Sequence, residues 1–101
     1  MRAVHENIEG PCEIDEDLAV YGLVTAGATL RSGVRLILHG TIAGNLTIET
    51  GARAIIHGTV AGRIHNEGGR VEIFGIADAV VNGSRDAITI IDPAAHVRGR
   101  P

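Results

Sequence analysis

Apolar and polar positions alternate along most of this chain, and the alternation itself recurs. Leu36, Leu38, Gly40, Ile42, Gly44, Leu46 and Ile48 occupy every second position. Ala54, Ile56, Gly58, Val60, Gly62 and Ile64 repeat the series, and Val71, Ile73, Gly75, Ala77, Ala79 and Val81 give it a third time. A period of two belongs to strands, whose successive side chains point to opposite faces. The stretches His39–Ile56 and His57–Ile73 are near-copies laid end to end, the second closing one position short. Tyr21-Gly22 opens an earlier line at the same offset before His39-Gly40, and Phe74-Gly75 a later one at that offset less one. Gly22, Gly40, Gly58 and Gly75 therefore share a column. A short period of strand-like lines predicts a solenoid, and a period of roughly 18 residues is too short for a strand and a full helix. The expected fold is an all-β, single-domain β-solenoid of about five rungs, each of roughly 17–18 residues. Aliphatic residues stack inward, and the glycine columns mark corners or narrow walls.

The rungs expected from this period are 21–38, 39–56, 57–73 and 74–91, so residues 21–91 form the solenoid proper. Subtracting 18 through residues 1–20 puts Val4 in the glycine column and Cys12 beneath Leu30, with Leu18 and Val20 beneath Leu36 and Leu38. It also puts Glu6 in the core column of Val24, Ile42 and Val60, where an unpaired charge is costly. Residues 1–20 are therefore expected to form a degenerate acidic capping rung. Ile88 and Ile90 are expected to continue the inward columns of Val71 and Ile73. Asp92-Pro93 then ends the ladder, because proline lacks the donor a central strand needs, and 92–101 form a C-terminal cap or tail.

Composition sharpens this picture. Tyr21 and Phe74 are the only aromatic residues apart from histidine, which suits a narrow core of stacked Ile, Val, Leu and Ala. A net charge of −3 argues against nucleic acid as a partner. No apolar run approaches the ~18 residues of a spanning helix, and no signal peptide is visible. Cys12 is the sole cysteine, which fits a reducing cytoplasm.

Stacking also turns outward positions into ladders. Ala19, Ile37, Ile55 and Glu72 form one; Tyr21, His39, His57, Phe74 and Ile91 the next; Leu23, Thr41, Thr59 and Ile76 a third. Together they predict one apolar wall, and Ile37, Ile55, Tyr21, His39, His57, Phe74 and Ile76 mark a partner or assembly face. His39 and His57 are read as stacked rings rather than a metal site, because no Cys, Asp or Glu shares their columns. His5 and His96 lie in the caps without a spacing signal, and His65 takes the polar position of Thr47. Glu6, Glu9, Glu13, Asp15, Glu16 and Asp17 give one end an acidic character. Arg35, Arg53 and Arg70 form a basic ladder, with Asp17 one rung below Arg35 and with Glu49 and Glu67 as expected partners. That ladder reads as a solvated salt-bridge edge, or more sharply as a site for an anion or headgroup. Ser32 and Ser84 are turn residues without a His–Asp partner pattern, and the glycines keep the rung period instead of a phosphate-loop spacing. No enzyme and no cofactor are expected.

The lines Gly40-Thr41-Ile42-Ala43-Gly44-Asn45-Leu46 and Gly58–Ile64, the latter with Arg63 in place of Asn, resemble the bactofilins, a polymer-forming bacterial cytoskeletal family. The resemblance covers roughly residues 20–81. It implies a right-handed β-helix of roughly triangular section. It also implies nucleotide-independent assembly through the terminal rungs into filaments that scaffold other proteins, often at the membrane. The family's membrane-anchoring terminal segment has no counterpart here, so membrane contact is expected only through a partner. The expectation is a self-associating scaffold protein, dimeric or filamentous, that contacts other proteins. A different class is a discrete acidic binding module, such as an immunity or antitoxin protein that neutralises a basic partner. It is motivated by the acidic end and the apolar columns. A hexapeptide-type acyltransferase is the third reading, since Val24, Leu30, Leu36, Ile42, Ile48, Ala54 and Val60 also recur at six.

Overall fold

Each middle coil of the chain contributes a short strand to each of three walls, and each strand pairs in parallel with its counterparts in neighbouring coils. The computed structural model describes all 101 residues; it is all-β, with no helix and about five turns. In the third coil the three strands are Arg35–Leu38, Thr41–Ala43 and Leu46–Ile48. The first wall stacks Arg2–Val4, Leu18–Val20, Arg35–Leu38, Arg53–Ile56, Arg70–Ile73 and Ile88–Ile91. The second begins with Ile8 bridged to Val24, runs through Leu23–Thr25, Thr41–Ala43 and the first halves of Thr59–Asn66 and Ile76–Asn82, and ends on His96–Gly99. The third stacks Cys12–Ile14, Ala28–Leu30, Leu46–Ile48 and the second halves of the same two long strands.

The inward columns are those the alternation demands. Leu36 lies on Ala54 and Leu38 on Ile56. Val60 lies on Ile42, and Ile64 on Leu46. These side chains are sealed from solvent and belong to one cluster of 23 buried hydrophobic residues. A single coil could not bury such a face; its neighbours above and below do so. The column Gly22, Gly40, Gly58 and Gly75 is a packing requirement. A Cβ at Gly58 would press into the carbonyl oxygen of Gly40, and one at Gly75 into that of Gly58.

The register holds an offset of 18 through the middle coils, drops one residue at the corner 67–69, and departs further toward the two ends. In the first coil the offset to the next is 16: Val4 lies beneath Val20, Ile8 beneath Val24, Cys12 beneath Ala28 and Ile14 beneath Leu30. Val4 is thus an inward core residue and not part of the glycine column, and Cys12 does not lie beneath Leu30. Ile8 takes the core position assigned to Glu6, which is exposed. The cause is a corner of three residues, 15–17, where the next coil spends five, 31–35. Leu18 and Val20 do lie beneath Leu36 and Leu38.

In the fifth coil one residue is lost between Val60–Ala77 and Arg63–Ala79, so Val80 and not Ala79 or Val81 points inward. The corner 83–87 then adds two residues. Ile88 lies on Arg70, Thr89 on Val71, Ile90 on Glu72 and Ile91 on Ile73. Ile88 and Ile90 therefore face outward, 48% and 42% exposed, and Ile91 leaves the ring column for the edge of the core. Asp92-Pro93 does not end the ladder. Asp92 accepts hydrogen bonds from the backbone N–H groups of Ala94 and Ala95, making a corner, and His96–Gly99 resumes pairing on Ile76–Ala79.

Asn66 is the one buried polar residue. It replaces an aliphatic group in the column of Leu30 and Ile48. Its Oδ1 accepts from the N–H groups of Gly68 and Gly69 at 3.3 and 2.8 Å, and its Nδ2 donates to the Ile88 carbonyl at 3.0 Å and Thr89 Oγ1 at 3.3 Å. The side chain staples the corner 67–69 to the strand above. No helix is long and apolar enough to cross a membrane.

Candidate functional site

The corner between the first and second walls carries five rings in one stack. His5, Tyr21, His39, His57 and Phe74 follow at centroid separations of 4.7, 4.6, 5.2 and 5.2 Å, all within 16° of parallel. Stacking spends the ring faces inside the molecule and leaves only edges outward. His5 joins because the first coil is two residues shorter, which places it beneath Tyr21; a fixed offset of 18 hid it. Parallel stacked imidazoles direct their lone pairs side by side instead of toward one point, and nowhere do three His, Cys, Asp or Glu side chains gather to hold a metal. Removing the second ring, Tyr21→Ala, is expected to lose the stacked contacts with His5 and His39 and cost about 1–2 kcal/mol in a urea titration.

The apolar columns do not share one wall. Ile37 and Ile55 face out from the first wall, Ile76 from the second, and the rings stand at the corner between them. Leu23, Thr41, Thr59 and Ile76 stack as expected and are continued by His96. His65 lies on Thr47, and Val81 lies on His65.

Arg35, Arg53 and Arg70 stack in register. They line a groove of about 350 Å³ over Ile37 and Ile55, with Met1 at one end and Glu72 at the other. Asp17 accepts the Arg35 N–H at 2.9 Å and lies 3.8 Å from its guanidinium, and Glu72 holds Arg70 at 3.2 Å. Glu49 and Glu67 are not the partners. Glu49 instead holds Arg31 at 3.0 Å from the coil above, while Glu13 holds it at 2.6 Å from the coil below. This carboxylate–guanidinium–carboxylate sandwich raises the Arg31 pKa above its ordinary value, chiefly through the Glu13 hydrogen bond. Only Arg53 in the basic ladder lacks a carboxylate, so the ladder is largely neutralised within the molecule.

The two ends are open. At the first coil a mouth of about 400 Å³ has an apolar floor of Val4, Ile8, Ile14 and Leu18 and a rim that includes Glu6, Glu13, Asp15 and Glu16. Arg2 pairs with Glu16 at 2.6 Å, and Glu13 and Asp17 are also paired, leaving Glu6, Glu9 and Asp15 without a cation. Cys12 lies in the same mouth, and burial pushes its thiol pKa up, which makes it a poor nucleophile. At the last coil Ile88–Ile91 and His96–Gly99 have no strand above them. Arg98, 86% exposed, donates to Asp78 one coil below at 2.6 Å. Each end is a row of unpaired backbone donors and acceptors, ready for another strand.

Fold and ends together define a class: a three-sided parallel β-solenoid with an acidic open mouth and exposed strand edges. No protein-family model matches the chain, and no curated protein or solved structure is significantly similar to it.

Proposed function

We propose that the chain is a bactofilin-like scaffold protein that assembles through its solenoid ends without nucleotide, in a structural and not a catalytic role. The single observation that carries this reading is that both ends leave strand edges unpaired, the first of them above an apolar floor. Edges of this kind are normally blunted or covered in a protein that stays alone. The lines GTIAGNL and GTVAGRI add the family resemblance. On this reading the protein acts in the cytoplasm and reaches a membrane through a partner. Negative-stain electron microscopy and sedimentation of the pure protein test it. Filaments or long oligomers are expected as concentration rises, with no added nucleotide; a particle that stays monomeric or dimeric throughout would reject it.

A second reading, the acidic binding module, is favoured by the three unpaired carboxylates Glu6, Glu9 and Asp15. It predicts a discrete particle. It further predicts that reversing Glu13, Asp15 and Glu16 weakens capture of a basic protein and flattens its salt dependence.

A further inference from the structure

The coils at the two ends match each other, not themselves. On the first two walls each core column can be followed from the first coil to the last and then onward into a second copy stacked above, while the third wall stops one layer lower, on Ala79–Asn82. On the first wall the core column Val4, Val20, Leu38, Ile56, Ile73 and Ile91 would continue with the next copy's Val4. On the second wall Ile8, Val24, Ile42, Val60, Ala77 and Val97 would continue with the next copy's Ile8. Aliphatic groups meet aliphatic groups in both columns.

The neighbouring outward columns match in charge. Glu9 follows Ile8, and Arg98 follows Val97, so the next copy's Glu9 falls over Arg98. That guanidinium already holds Asp78 from the coil below. The joint would therefore repeat between molecules the sandwich that Glu13, Arg31 and Glu49 make within one. At the ring corner, Asp92 occupies the position above Phe74, since its N–H donates to the Ile73 carbonyl. The next copy's His5 would come to lie over this carboxylate. The opposite arrangements lack these matches. Two first coils facing each other would set the acidic patch of Glu6, Glu9 and Asp15 against its own copy, and two last coils would set the Arg98 side against its own copy, without the opposite charge.

We infer that a second copy of this chain docks head to tail, its acidic first coil on the last coil of the copy below, with Glu9 over Arg98 and Ile8 over Val97. This rests on the end-to-end assembly proposed above and adds its direction and its contacts. A heterologous contact of this kind does not close on itself, so it builds a polar fibre. Six strands stack in the first wall, so at ~4.8 Å per strand each copy advances the fibre by about 29 Å.

Single-cysteine variants test the direction. In a Cys12→Ala background, which the Ala28 column accommodates, Glu9→Cys and Arg98→Cys are made as separate full-length proteins, mixed and oxidised. The Cα separation of strand neighbours, ~4.8 Å, suits a disulfide. A cross-linked pair containing one of each variant is expected, and neither variant should cross-link alone. Homodimers of either variant, or filaments with no mixed pair, would overturn the head-to-tail contact while leaving assembly intact. A strictly monomeric protein in sedimentation would sink assembly and direction together. A second measurement is the axial repeat in fibre images: about 29 Å supports one direction, and about twice that, from alternating copies, overturns it. Arg98→Glu is expected to raise the concentration needed for assembly about tenfold or more, and Glu9→Arg combined with it to restore the original value. Equal behaviour of the single and the paired swap would count against the contact.

Discussion

Gly58→Val is expected to prevent the solenoid from closing, with a loss of about 3 kcal/mol or more in equilibrium unfolding, or no folded protein at all. Gly58 lies in the middle of the glycine column, with a coil above and a coil below. A Cβ there would overlap the Gly40 carbonyl oxygen, and further contacts come from the His39 carbonyl. These are backbone atoms held by the ladder: Thr59 N–H donates to Gly40 O at 3.0 Å. They cannot swing aside as a side-chain tip would, so relief requires the two coils to part. Parting them also separates the inward pairs Ile42–Val60 and Leu38–Ile56 on either side. Gly83 is the control. It lies on the corner 83–87, nothing closer than 3.5 Å meets its added Cβ, and Gly83→Ala should stay within about 0.5 kcal/mol of the parent. Circular dichroism during urea titration reads both.

The second large effect is expected at Asn66. By column analogy isoleucine should suit this position, because Ile48 occupies it one coil below. Asn66→Ile is nonetheless expected to cost about 3 kcal/mol or more, because it strips the Gly68 and Gly69 N–H groups and the Ile88 carbonyl of their partner in a closed corner, at ~1–3 kcal/mol for each group left unmet. Asn66→Asp keeps the acceptor for the two glycines but loses the donor to Ile88, and should fall between the two in urea midpoint. An isoleucine variant as stable as the parent would mean that water or a shifted corner supplies those hydrogen bonds.

The sequence revealed the middle of the molecule and misplaced its ends, for one physical reason. Walls are bound to a period by their ladders, whereas corners are free to gain or lose residues. From His39 to Ile73 two near-identical lines keep one offset through the second and third walls and differ only by a residue at the corner, 49–52 against 67–69, so that offset places Ile42 on Val60 and Leu46 on Ile64 correctly. At 15–17 the corner is shorter, and the same offset displaced Val4, Glu6 and Cys12. A corrective signal was present: His5, Ile8 and Ile14 all precede like residues, Tyr21, Val24 and Leu30, by 16, and that offset alone keeps Glu6 out of the core. At 83–87 no such signal exists, because Ile88, Ile90 and Ile91 fit either alternation, and only the length of the folded corner turns Thr89 and Ile91 inward. The outward ladders were legible as columns. Their distribution over two walls was not, since alternation passes through the glycine corner without a break. The ion partners were not legible either: Arg31, absent from every repeating column, proves to be the best-held guanidinium of the chain.

The ring stack has an optical consequence. Tyr21 is the sole tyrosine and there is no tryptophan, so ultraviolet emission from the intact molecule comes from a single phenol clamped between two imidazoles. That light reports on the lowest layers alone. Because coils of a solenoid can peel away one after another, emission and backbone ellipticity need not change together, and the order in which they do so tells from which extremity the molecule frays.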